Sequence, residues 1–195
     1  MKKSFVSIHL NAYDNSSVMR SKTGGTPYWP RGKPYPKDMA FLAQINFEEV
    51  PATGVFPEKG MLQFFIKDDD VYGLDSGQNG YLAVYHETLE PAGEIHPHEA
   101  VFSPIIKPAV MEFRICDNPE AYDGNTDDED GRLLGKPLFV QGDPRDEDSK
   151  YDTLLFQLDS GDFVMWGVFG LGNFFINSGK LKKCDFSDIL YNWDC

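Results

Sequence analysis

Residues 60–66, GMLQFFI, decide how this chain reads. A short run of apolar and aromatic residues, interrupted by one glutamine and bounded by a glycine, is the pattern of a buried β-strand. A near copy, GLGNFFI, stands at 170–176. Working outward, each copy is preceded by the same punctuation. The first unit reads GGTPYW (24–29), then LAQIN (42–46), then GMLQFFI; the second reads LGKPLF (134–139), then LFQLD (155–159), then GLGNFFI. Pro27 lies 37 residues before Phe64, and Pro137 lies 37 before Phe174. The glutamines slide by three: Gln44 is 17 after its proline and Gln157 is 20 after its own. A long fixed spacing of this kind predicts a duplicated supersecondary unit, with candidate halves at 24–66 and 134–176.

The rest of the chain agrees. Glycine and proline (18 and 13 residues) cut it into short pieces. Val6, Ile8 and Leu10 alternate with polar residues, and FLAQIN (41–46), GYLAVYH (80–86), AVMEFRI (109–115), TLLFQLD (153–159) and DFVMWGVF (162–169) read as further strands. Helical signals are few. Asn46 with Glu49 predicts one capped turn, and Ser178 predicts a short helix over 179–183. The expectation is a mainly β, roll-like single domain over 1–195 with few short helices. A chain of 195 residues buries roughly 70% of its unfolded surface on folding, so the core needs no staples.

Charge narrows the function. Lys plus Arg is 18 and Asp plus Glu is 31, a net charge of −13. Phosphate backbones need clustered cations, so nucleic acid is excluded as a partner, as is an anionic membrane. A basic protein or peptide fits the sign. Much of the charge lies in 117–152, whose centre, NPEAYDGNTDDEDG, predicts an acidic solvated loop over 117–131. The start, MKKSFVSIHL, lacks the long apolar stretch of a signal peptide, and no run approaches the ~20 apolar residues of a membrane helix. Three cysteines (Cys116, Cys184 and Cys195) with no C-x-x-C pair form neither a disulfide framework nor a zinc site. These features predict a reducing, cytoplasmic compartment and no cofactor.

Several quoted stretches carry a resemblance. SKTGGTPYWPRGKPYP (21–36), FLAQINFEEVP (41–51), FPEKGMLQFFI (56–66), QGDPR (141–145), YDTLLFQLDSGD (151–162) and the closing YNWDC (191–195) resemble the YwqG-like family, a bacterial domain-of-unknown-function family. The resemblance implies a roll-like β fold and distant kinship with the programmed-cell-death-protein-2 group, whose members are similar to chaperones for a nascent ribosomal protein. It also implies peptide-binding or toxin-neutralising roles, and no catalytic residues. The chain departs from the pattern in its strand-like N-terminus, in a shorter stretch between His86 and Gly131, and in Leu134-Gly135 where Gly-Gly is common. It lacks the zinc-ligand cysteines of the eukaryotic relatives.

Candidate chemistry is sparse. His96-Pro97-His98 lacks a third metal ligand, and Asp123, Asn125 and Asp127 begin a calcium-loop pattern that fails at Asp128 and Leu134, so no metal is expected. No nucleophile elbow or phosphate loop is present. Gln44 and Gln157 are read as amides that bond backbone, either inside the core or on a bound peptide. Tyr28, Trp29 and Trp193 are candidate apolar anchors, with Arg145, Asp127, Asp128, Glu129 and Asp130 as candidate charged contacts. The leading reading is a non-enzymatic protein- or peptide-binding module. The alternatives are a hydrolase using scattered carboxylates or His96/His98, and an acidic structural or weakly cation-binding protein.

Overall fold

The computed structural model describes residues 4–13, 18–94, 97–116 and 129–195. Ten strands form one antiparallel sheet: β1 (Phe5–Ala12), β2 (Lys22–Thr23), β3 (Met39–Asn46), β4 (Met61–Lys67), β5 (Tyr81–His86), β6 (Ala109–Cys116), β7 (Gly131–Leu133), β8 (Thr153–Asp159), β9 (Leu171–Ile176) and β10 (Ile189–Asp194). Their order, β10-β9-β8-β7-β1-β6-β2-β3-β4-β5, reads the same way outward from the central β1–β6 pair. On one side stand β2 to β5, on the other β7 to β10. The central pair runs in register over eight residues, from Phe5 opposite Cys116 to Ala12 opposite Ala109.

The two wings match residue by residue. Lys22, Gln44, Gln63 and Val84 face one another across β2 to β5. Arg132, Gln157, Asn173 and Asn192 do so across β7 to β10. Each wing carries one bulge, between Phe41 and Ala43 in β3 and between Leu154 and Phe156 in β8. The three-residue slide of the glutamines is therefore a longer connection into β8, with the pairing itself conserved between wings.

Curling the sheet puts the inner faces of the wings together. Phe64 packs on Phe156 at 5.0 Å and on Phe174 at 4.7 Å, so the paired Phe-Phe-Ile segments meet at the centre. The two edge strands also approach: the Tyr81 hydroxyl donates to the Ile189 carbonyl at 3.1 Å, and its ring lies 5.4 Å from Tyr191. The result is a nearly closed roll. Of the helical expectations, Asn46 caps a single 3-10 turn, Phe47–Glu49, and the short helix α1 is Ser178–Leu181 with Asn177, one residue earlier than expected, as its cap.

Two readings need correction. DFVMWGVF is not a strand. Only Val164 bridges to Ile105, and the rest is a tight turn closed by the Gly170 N–H on the Trp166 carbonyl. The short strands at 22–23, 131–133 and 189–194 were not foreseen. Among the described residues no helix is long and apolar enough to cross a membrane.

Turn geometry accounts for leucine at 134, where the first wing has glycine. Gly24 and Gly25 sit at φ +64° and +70°, and Leu134 and Gly135 take the same left-handed pair at +63° and +78°. Leucine there costs ~1–2 kcal/mol relative to glycine. Its side chain, 6% exposed, offsets this by joining the core.

Phe64 is fully buried and touches both wings. Phe64→Ala should destabilise the domain by about 3–5 kcal/mol. Urea unfolding should show one cooperative transition at a lower midpoint, because the wings share this core.

Candidate functional site

Each wing buries a pair of amides under a covering segment. In the first wing Gln44 Oε1 accepts the Tyr28 N–H at 2.8 Å, and Gln63 Nε2 donates to the Tyr28 carbonyl at 2.6 Å. Gln44 Nε2 then reaches the Val18 and Arg20 carbonyls. In the second wing Gln157 Oε1 accepts the Leu138 N–H at 2.8 Å, and Asn173 Nδ2 donates to the Leu138 carbonyl at 3.1 Å. Gln44, Gln63, Gln157 and Asn173 are all 0% exposed. The amides hold peptide backbone, and that backbone is the chain's own.

The clamped segments cover the outer face of the sheet. Tyr28 is 0% and Trp29 5% exposed, so neither is a surface anchor. Trp29 packs edge-on against Phe65 and Tyr35, and its indole N–H donates to the Lys33 carbonyl. The Pro-rich context that marked these rings as exposed is the cover itself. Phe139 and Arg145 repeat the arrangement on Phe175, with the guanidinium 4.2 Å from the ring centroid. Arg145 also forks onto Asp143 and donates to the Tyr151 carbonyl, so it is a structural tie. Trp193 is half-buried, and its N–H donates to the Val71 carbonyl.

The acidic residues fare differently. Asp127 and Asp128 lie outside the described residues, as do His96, Asp123 and Asn125. Glu129 pairs with the buried Arg132 at 3.1 Å, and Asp130 Oδ2 accepts the Leu10 N–H at 2.7 Å. Neither is a free surface charge. Asp159, which was not foreseen as a site residue, completes this cluster: its Oδ1 accepts from Gln157 Nε2 at 2.7 Å. Burial pushes the Asp159 carboxyl up to about 6, and Glu129 and Asp130 add to the rise against the pull of Gln157 and Arg132. Burial also raises Glu129. In the first wing Asn46 holds the position of Asp159 and Lys22 that of Arg132. Burial pushes the Lys22 amine down to about 8. His98 is remote from the cluster in its contacts; it bonds Asp68 at 2.7 Å.

Among the described residues no group of three or more His, Cys, Asp or Glu side chains is placed to hold a metal. One groove among the described residues, of about 610 Å³, is lined by Pro57, Glu58, Lys59, Tyr85, Glu87, Lys183 and Cys184. It mixes both signs of charge, and burial pushes its Tyr85 phenol up to about 12, away from any role as a base at neutral pH.

The unforeseen feature is apolar and exposed. Val101 is 81%, Phe102 43%, Ile106 56%, Val168 79% and Phe169 74% exposed. These residues lie on two loops hydrogen-bonded to one another: Ile106 N–H donates to the Phe163 carbonyl, and Met165 N–H to the Pro104 carbonyl. Asp68 pins the first loop by accepting the Val101 and Phe102 N–H groups together with His98. Phe169 holds φ at +60°, a conformation that a bulky side chain adopts only when its surroundings enforce it.

The domain-of-unknown-function model DUF1963 matches residues 21–195. The chain belongs to the DUF1963 family. No curated protein matches it. The matched span of this DUF1963 domain takes in both wings, both amide clamps and the two exposed loops.

Two outcomes follow from the buried network. Gln44→Leu and Gln157→Leu should each cost about 1–3 kcal/mol, since each leaves a covering-segment N–H without an acceptor. Calorimetric melting of the two variants checks this. Asp159 has a folded pKa above its unfolded value of 3.8, so its contribution to stability is full below pH 4 and is lost as pH rises through 6. Asp159→Asn, which installs the residue of the first wing, should therefore raise stability by about 1–2 kcal/mol at pH 7 and change it little at pH 4.

Proposed function

We propose that this DUF1963 domain is a YwqG-like, non-enzymatic binding module of the cytoplasm, whose partner is a protein segment that combines apolar side chains with positive charge. The observation that carries the reading is the exposed set Val101, Phe102, Ile106, Val168 and Phe169 on two mutually bonded loops. Exposed apolar surface of this kind marks interaction sites on soluble domains. Strain adds to the argument, because Phe169 occupies the left-handed region without gaining burial. Backbone strain that no packing repays clusters at functional positions.

Charge selects the occupant. A second copy of the chain would bring another −13 to the interface, whereas a cationic segment is steered toward it. Apolar contact supplies the residence time and charge supplies the encounter rate, since exposed ion pairs contribute only ~0–1 kcal/mol each. The anchors expected at Tyr28, Trp29 and Trp193 are replaced in this reading by Phe102, Val168 and Phe169. The amide clamps, already engaged with the chain's own backbone, take no part.

A peptide array tests the proposal. Fifteen-residue peptides bearing Lys or Arg beside Leu or Phe are compared with charge-reversed copies. The basic set should bind, more weakly as salt rises. Phe169→Asn should weaken that binding about tenfold or more while leaving the melting temperature unchanged or higher, because Asn accepts the left-handed backbone. Equal binding of both sets, binding indifferent to Phe169→Asn and Val101→Ser, or a dimer that dissociates on Val168→Ser would each overturn it.

A further inference from the structure

The wings also differ where β5 and β10 meet the clamp amides. In the first wing His86 Nε2 and Gln63 Oε1 lie 2.9 Å apart and close a hydrogen bond. The corresponding positions in the second wing are Asp194 and Asn173: His86 pairs with Met61 and Asp194 with Leu171, while Gln63 and Asn173 sit two residues further along β4 and β9. A donor–acceptor pair in one wing is thus replaced by two acceptors in the other.

Both acceptors are left over. Asn173 is 0% and Asp194 8% exposed. Asn173 Nδ2 is used on the Leu138 carbonyl, and Asp194 Oδ2 accepts the Val140 and Gln141 N–H groups at 2.9 and 2.6 Å. Asn173 Oδ1 and Asp194 Oδ1 are buried with no hydrogen-bond partner among the described residues. Both side chains are tied to the same covering segment, 138–141, whose Val140 is 54% exposed. The spot therefore lies one layer of chain below solvent.

We infer that Asn173 Oδ1 and Asp194 Oδ1 form a site for a monovalent cation, sodium or potassium, held beneath residues 138–141. A carboxylate only accepts, as does an amide oxygen, so an occupant shared by the two brings hydrogens or positive charge. A water supplies hydrogens but leaves the carboxylate without an opposite charge. The half-buried Glu129 has one in Arg132. None of the ion pairs among the described residues includes Asp194. Buried charges are as a rule paired or bound to a metal ion. A single carboxylate beside one amide oxygen is too little for calcium, which takes six to eight oxygen ligands, several of them charged. It suits a singly charged ion that keeps part of its water, drawn by a chain of net charge −13.

Two measurements decide the matter. Crystals grown with rubidium or thallous ion should show an anomalous peak between Asn173 Oδ1 and Asp194 Oδ1. In solution, sodium or potassium chloride should raise the melting temperature by roughly 3–6 °C over tetramethylammonium chloride of equal ionic strength. Asp194→Asn should abolish that difference. So should the double change Asn173→Gln with Asp194→His, which rebuilds the pair of the first wing. A water-sized peak without anomalous signal overturns the inference, as do equal melting temperatures in the three salts. The crystal measurement uses the unaltered chain, so it stands even where a variant fails to fold.

Discussion

The hold of one residue's backbone by two buried amides is the constraint on which the architecture rests. Pro27 and Pro137 have no N–H, so the first donor of each covering segment belongs to the next residue, Tyr28 or Leu138. A covering segment laid across the outer face of a sheet cannot join the ladder, whose strands are already paired side to side. Its polar groups need partners from the face itself. Gln44 and Gln157 meet the N–H, and Gln63 and Asn173 meet the carbonyl. Once that residue is held, the next ring, Trp29 or Phe139, is delivered onto Phe65 or Phe175 and closes the outer layer. The glutamines that interrupt otherwise apolar strands are thus the reason those strands have a second buried face.

Within this shared frame the wings have diverged in charge. The first wing has Asn46 two residues beyond Gln44 on β3, and His86, whose pKa burial lowers, bonded to Gln63. The second wing places carboxylates at those two positions, Asp159 and Asp194, and adds Glu129 against Arg132. Lys22, the counterpart of Arg132, has no such carboxylate neighbour among the described residues and reaches only the Tyr13 hydroxyl at 3.5 Å. Packing is conserved between the wings, while the charge of their buried polar groups is not.

Legibility in the sequence followed the range of the forces involved. Strands β3, β4, β8 and β9 were readable because their apolar patterns are local and their glutamines are spaced alike. Strands β2 and β7 were not, since two or three residues carry no period, and they exist only because β6, β1, β3 and β8 offer ladder partners on both sides. Gln44 and Gln157 were legible as buried amides. Tyr28 and Trp29 were misassigned to the surface because a proline-rich stretch reads as solvent-exposed until the face it covers is known. The opposite error befell DFVMWGVF (162–169), whose apolar content reads as a strand although its turn points Val168 and Phe169 outward.

That last reversal bears on function. An acidic domain whose core is full and whose clamps are engaged gains nothing in stability from Val168 and Phe169, which are among its most exposed apolar side chains. Polar residues there would lower the risk of association, and asparagine or glycine at 169 would remove the cost of the left-handed backbone. Gly167, at φ +52°, lies against Cys195 and Trp193, so the turn is pressed onto the end of β10 and has little freedom to relax. The neighbouring loop is equally fixed, because Asp68 takes two of its N–H groups and a histidine. Rigid presentation of apolar side chains limits the entropy lost when they are covered, which is the property a binding surface needs and a stable free surface does not.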